Sequence, residues 1–119
     1  MDRKGCRHDG LEVSRGALVT VALQGDYGKP RPAVVIQSDF FGDLPAVTVL
    51  PLTSEIRNAP TFRVSIEPSS SNGLSALSQV MVDKAHTVAR GKLGTPIGHL
   101  NDSQMIAVNR ALALFLGLV

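Results

Sequence analysis

Gly25-Asp26-Tyr27-Gly28-Lys29-Pro30-Arg31-Pro32-Ala33-Val34-Val35-Ile36-Gln37 changes character part-way along. Residues 25–32 read as a loop, whereas 33–37 is a continuous apolar, β-branched run, as expected of a central strand covered on both faces. The residue before a proline is pushed out of the helical region, so Lys29 and Arg31 are extended. Pro32 has no N–H for a ladder and is expected to open the strand. Arg31 therefore stands on a stiffened backbone at the mouth of a buried strand. Its planar fork of donors suits a phosphate better than an ammonium would. A surface arginine on a tight turn would carry the same letters, so this stretch alone leaves both readings open.

Outward from this strand the pattern stays β. Before it, Val19, Val21 and Leu23 alternate with Leu18, Thr20 and Ala22, which predicts a first strand. After it comes a loop in which Phe40 and Phe41 are placed to close one end of the core. Residues 46–50 make a third strand that Pro51 should stop. Phe62, Val64 and Ile66 then alternate with Arg63, Ser65 and Glu67, a half-exposed strand with the polar set outward. Residues 68–73 form a turn, and 78–83 and 85–88 complete the β region. Short strands at this spacing predict a small barrel, mainly β with α+β character, and not a layered α/β fold.

The last segment changes period. Asn101 is a helix N-cap, Gln104 completes a capping box, and Leu100 with Met105 can form the hydrophobic staple. Met105, Val108, Leu112 and Phe115 share one face of the amphipathic C-terminal α-helix, and Gly117 is placed to end it.

The 119 residues suffice for one core. Residues 1–13 are polar and patternless and read as a flexible N-terminal arm, leaving 14–119 as the domain. No apolar run reaches the ~18–20 residues of a membrane helix. The basic start (Arg3, Lys4, Arg7) is not followed by a signal-peptide core. The single cysteine, Cys6, fits a reducing compartment, so a cytoplasmic protein is expected. His8, His86 and His99 are too scattered for a metal site, and nothing calls for a cofactor. With a net charge of only +2, a nucleic acid would have to be held by a local basic cluster.

An ordered set of motifs runs along nearly the whole chain, from about Arg15 to Leu118. Arg-Gly precedes the first strand, and Arg31-Pro32 opens a Val/Ile strand. Pro51-Leu52-Thr53-Ser54 ends the next strand. Gln79-Val80-Met81-Val82-Asp83-Lys84 and Ile97-Gly98-x-Leu100 follow, before a helix ending Leu116-Gly117-Leu118. In this order the chain resembles the MazF/PemK toxins of bacterial type II toxin–antitoxin systems. The resemblance implies an SH3-like β-barrel with a C-terminal helix and a symmetric homodimer. It also implies a metal-independent endoribonuclease acting on single-stranded RNA at short sequences, and an antitoxin whose disordered acidic tail blocks the RNA groove.

Such a reaction uses the substrate's own 2′-hydroxyl and needs a base, a cation and an acid within hydrogen-bond reach. It spares DNA, which lacks the nucleophile. By resemblance Arg31 contacts the scissile phosphate, Thr53 donates its hydroxyl to a phosphate oxygen, and Asp83 acts as general base if it lies beside Arg31. Asp26 is the competing carboxylate. An arginine, with a pKa above ~12, is a difficult general acid, so Arg31 is assigned charge and orientation. Lys29, Lys84 and Arg31 form the expected phosphate-facing group, with Tyr27 and Phe41 as stacking partners for bases. Asp26, Gln37, Ser54 and His86 complete the expected RNA-binding set. The chain departs from relatives at Met81, where some carry an arginine, at Lys84 for a common glutamine, and at His86 for a common arginine. Two other readings are a gyrase-poisoning toxin like CcdB, which shares the fold by resemblance and acts through its C-terminal helix, and a degenerate barrel that only binds antitoxin. The helix end lacks a distinctive polar contact motif, whereas Arg31 and Thr53 are both present, which favours RNA cleavage.

Overall fold

A computed structural model describes residues 13–23 and 29–119. The expected N-terminal arm, apart from Val13, and the loop residues Asp26 and Tyr27 lie outside the described residues. In chain order the elements are β1 (Ala17–Ala22), β2 (Pro30–Val35), β3 (Ala46–Thr53), β4 (Arg63–Ile66), β5 (Ser78–Met81), β6 (His86–Ala89), β7 (Gly98–His99) and α1 (Asp102–Leu116). The strands form one curled antiparallel sheet in the order β4-β5-β3-β2-β1-β7, with β6 also paired to β3. This is a half-barrel with one C-terminal helix, as the sequence predicts. Among the described residues no helix is long and apolar enough to cross a membrane.

Both faces of the middle strands are buried. Leu18, Val34, Leu50, Leu52, Ile66 and Val80 pack on one side with Val108 and Ala111 of α1. Val19, Val21, Ala33, Val35, Val47 and Val49 form a second cluster on the other side, flanked by Val13, Val88 and Leu93. An unbroken apolar run such as 33–35 is what a strand between two apolar layers requires.

The prolines do not break the strands, contrary to the sequence reading, and the reason is edge geometry. Gly16 N donates to Val35 O at 2.8 Å and Ile36 N donates to Thr48 O at 3.1 Å. Successive residues of a strand turn their backbone groups to opposite edges, so odd-numbered residues of β2 face β1 and even-numbered ones face β3. Pro30 and Pro32 therefore lack their N–H on the β3 side only. They stay in register with Ala22 and Thr20 of β1, while the β2–β3 ladder stops at Ala33↔Pro51. β2 thus starts at Pro30, and a seam opens between β2 and β3 beside Arg31. In β3, Thr48 faces β2, so Pro51 faces the opposite edge. There β6 has stopped at Val49↔His86 and β5 resumes at Leu52↔Val80. Pro51 sits in that gap, where no donor is needed, and β3 continues to Thr53.

Two further expectations are corrected. Phe40 and Phe41 do not close the core: they form an edge-to-face pair with centroids 5.1 Å apart, and Phe40 is 83% exposed. Arg63 does not face solvent. It is 6% exposed because its Nη1 donates to Gln79 Oε1 at 3.0 Å and to Glu55 O at 3.1 Å.

α1 is capped as expected: Asn101 Oδ1 accepts from Gln104 N, and Gln104 Oε1 accepts from Asn101 N, each at 2.8 Å. Gly117 adopts the left-handed conformation (φ +75°) that ends the helix. Met105, Val108 and Leu112 pack on the sheet, but Phe115 is 52% exposed. Leu114 and Leu116 are exposed beside it, so the last turn runs past the sheet edge.

Candidate active site

A cleft of about 620 Å³ opens at the seam between β2 and β3. One side is Lys29, Pro30, Arg31 and Pro32, and the end of β3 contributes Leu52, Thr53 and Ser54. The facing wall is made of residues 73–76 with Ser78 and Ile97. Carried two residues past its last paired position, Ala33↔Pro51, the β2–β3 register sets Arg31 opposite Thr53. Cross-strand partners project from the same face of a sheet. Arg31 on β2 and Thr53 on β3 both line the cleft, so each is carried by a strand and not by a flexible loop.

Thr53 Oγ1 accepts a bond from Glu55 N at 3.1 Å, the turn-capping role open to any such hydroxyl. That bond uses an oxygen lone pair, so the O–H hydrogen is left to donate to a bound oxyanion. The turn after Thr53 is fixed from the core. Gln79, buried, accepts from Arg57 N and donates to Arg57 O, both at 3.0 Å, and Arg63 holds Glu55 O. Lys29 is exposed and Arg31 half-buried. Among the described residues the lining carries two cations and no acidic side chain, an electrostatic arrangement suited to a phosphate.

The facing wall was not read from sequence as part of a site. Asn72, buried, accepts from Ser69 N and Leu74 N at 3.0 Å and donates to Glu67 O at 2.8 Å. Gly73 has φ +68°, and a Cβ there would lie 2.2 Å from Ile97 O. The Asn72-Gly73 pair, legible only as a turn, is the signal that a locked loop stands here.

The remaining predicted residues that are described lie elsewhere. Gln37 uses its amide on the fold: Nε2 donates to Phe41 O and Ala46 O at 3.2 Å, and Oε1 accepts from Thr48 N at 3.0 Å. Asp83, Lys84 and His86 form a separate group at the turn between β5 and β6. Asp83 Oδ2 is 3.6 Å from Lys84 Nζ, and His86 Nδ1 is 2.7 Å from Lys84 O. Asp83 Oδ1 is buried without a hydrogen-bond partner. In the sheet, β3 lies between β2, which carries Arg31, and the β5–β6 turn, which carries Asp83. β2 occupies one edge of β3, whereas β5 and β6 occupy the other. From Val49↔His86 to Leu52↔Val80 the β5–β6 segment uses three more residues than β3. The surplus is taken up in a turn that Lys84 N closes on Met81 O at 3.1 Å.

Comparison with known proteins places this architecture. The family model for the PemK-like, MazF-like toxin of type II toxin–antitoxin systems matches residues 14–116. The chain belongs to that family. A protein of Mycolicibacterium smegmatis named probable endoribonuclease MazF is 44% identical over 107 residues, covering 89% of this chain and 98% of that protein. Among solved structures, an endoribonuclease from a mycobacterial species in complex with its cognate antitoxin matches with a TM-score of 0.76. It is 26% identical, covering 89% of this chain and 96% of that one. The Mycobacterium tuberculosis toxin MazF-mt6 matches with a TM-score of 0.72 at 29% identity, covering 87% and 97%. The matched span includes Arg31 and Thr53 of this toxin together with its C-terminal helix.

Proposed function

We propose that this toxin, an endoribonuclease of the MazF type, cuts single-stranded RNA in the Arg31–Thr53 cleft without a metal. The observation that supports the reading is a cleft lined by a guanidinium and a hydroxyl from neighbouring strands, with no acidic side chain among its described lining residues. The ribose 2′-oxygen attacks the adjacent phosphorus as the bond from phosphorus to the 5′-oxygen breaks. The products are a 2′,3′-cyclic phosphate and a 5′-hydroxyl. Arg31 stabilises the charge on the phosphoryl oxygens and Thr53 donates to one of them, groups pre-positioned where charge develops. Ser54 and Lys29 hold the flanking backbone.

The 2′-hydroxyl proton needs an acceptor, and the described cleft lining contains neither a carboxylate nor an imidazole. Asp26, three residues ahead of Lys29 in the chain, takes that role in this reading in place of Asp83. The toxin works as a homodimer in the cytoplasm, held inactive by an antitoxin. The purified protein incubated with single-stranded RNA in EDTA tests the reaction. Cleavage leaving cyclic-phosphate ends, lost in Arg31→Ala and Thr53→Ala, is the expected result. Intact RNA together with topoisomerase inhibition would overturn it.

A further inference from the structure

Thr53 stands at the end of a run of hydrogen bonds that begins in the core. Its Oγ1 accepts from Glu55 N at 3.1 Å. Glu55 O accepts from Arg63 Nη1 at 3.1 Å, and the same Nη1 donates to Gln79 Oε1 at 3.0 Å. Gln79 Oε1 also accepts from Arg57 N, while its Nε2 donates to Arg57 O at 3.0 Å and to Ser65 Oγ at 3.2 Å. Gln79 is the register partner of Thr53 on one side and of Ser65 on the other, so the three side chains project from one face of the sheet. Residues 53–57 are thus bracketed at Thr53, Glu55 and Arg57.

Gln79 and Arg63 are both buried, and neither is among the residues that line the cleft. Stability alone does not account for them. Arg63 buries a guanidinium whose Nε has no hydrogen-bond partner, which costs stability. Replacing buried charged groups by apolar side chains of similar volume is often neutral or stabilising. What the pair supplies is direction. Glu55 N occupies one lone pair of Thr53 Oγ1, which fixes the oxygen and leaves its hydrogen to point elsewhere. A donor aimed at developing charge works only if it is held there beforehand.

We propose that Gln79 and Arg63 are positioning residues for RNA cleavage: through Glu55 they set the direction of the Thr53 hydroxyl without touching the substrate. This rests on the ribonuclease reading above and names what makes Thr53 competent.

The test is a double-mutant cycle read by single-turnover RNA cleavage. Gln79→Met should lower the rate at saturation about tenfold, within the cost of misplacing a reacting group by about 1 Å. The protein concentration giving half the maximal rate should not change. Combined with Thr53→Val, the same substitution should have no further effect, because the hydroxyl it acts through is gone. Gln79→Glu keeps an oxygen for Arg63 Nη1 and should regain most of the rate. Arg63→Met, which removes a guanidinium that already carries an unpaired donor, should repeat the loss and its absence beside Thr53→Val, and it carries the test should Gln79→Met fail to fold. Val108→Ala, in the core on α1, should lower the urea midpoint and leave the saturating rate unchanged, which separates positioning from stability. Without any RNA, the Glu55 amide should exchange its hydrogen faster in Gln79→Met and Arg63→Met than in the wild type.

Equal losses with and without Thr53→Val, a full rate in the two core variants, or an unaltered Glu55 amide would overturn the proposal. Wild-type protein that leaves RNA intact while the Glu55 amide responds would sink the ribonuclease reading and not the link from the core to Thr53.

Discussion

Arg31→Ala should lower the single-turnover cleavage rate about 10²–10³-fold, the usual effect of removing one pre-positioned donor from a developing oxyanion. Arg31→Lys should recover only part of this, because an ammonium keeps the charge without the planar fork. At Thr53 the discriminating pair is Ser and Val. Thr53→Ser keeps both the donor and the cap on Glu55 N, whereas Thr53→Val should lose about ten- to a hundredfold, the range of a hydrogen bond to a charged group. For the base, Asp26→Asn should cost about 10²-fold or more in the rate at saturating RNA. Asp83→Asn, across β3 from Arg31, should stay within a few-fold of wild type. The opposite ranking would return the role to Asp83. The sequence singles out Arg31 because it stands between two prolines, and Thr53 through the family resemblance. It does not tell on which side of β3 Asp83 falls, because the three-residue surplus between β5 and β6 leaves no mark in the local pattern.

Among elements, the proposed function rests on the β2–β3 seam. Pro32→Ala would restore an N–H on the β3-facing edge, opposite Leu52 in the continued register. The new amide should be protected from hydrogen exchange, and cleavage should fall as the seam closes. An unprotected amide with full activity would show that the prolines do not hold the cleft open. On the opposite wall, Gly73→Ala should cost at least about 1–2 kcal/mol from the left-handed backbone alone. The contact with Ile97 O should add to this, read by urea unfolding. α1 was legible almost to the residue, since a capping box and a C-terminal glycine are local features. Phe115 was not, because only the placement of the sheet edge decides where a helix outruns its support.

For the whole molecule, a net charge of +2 leaves RNA affinity to the two cations of the cleft. With Lys29 and Arg31 each neutralising a phosphate, log K should fall against log salt with a slope of about −1.4 per cleft. Lys29→Ala should reduce it by about 0.7. A much steeper slope, measured by fluorescence anisotropy with an uncleavable RNA, would place further cations in the RNA path, with Lys84 the first to try.

The chain by itself determined the elements: alternation and β-branched runs specify strands, and caps specify the helix. These rest on local backbone sterics and on burial, which act over a few residues. Which groups share a hollow was decided only by the tertiary structure. Proline is neutral or disruptive according to the edge its nitrogen faces, and that edge is defined by neighbours far away in the chain. For the same reason Arg31 and Thr53 line one cleft, Arg63 is drawn into the interior, and β3 lies between Arg31 and the β5–β6 turn that carries Asp83.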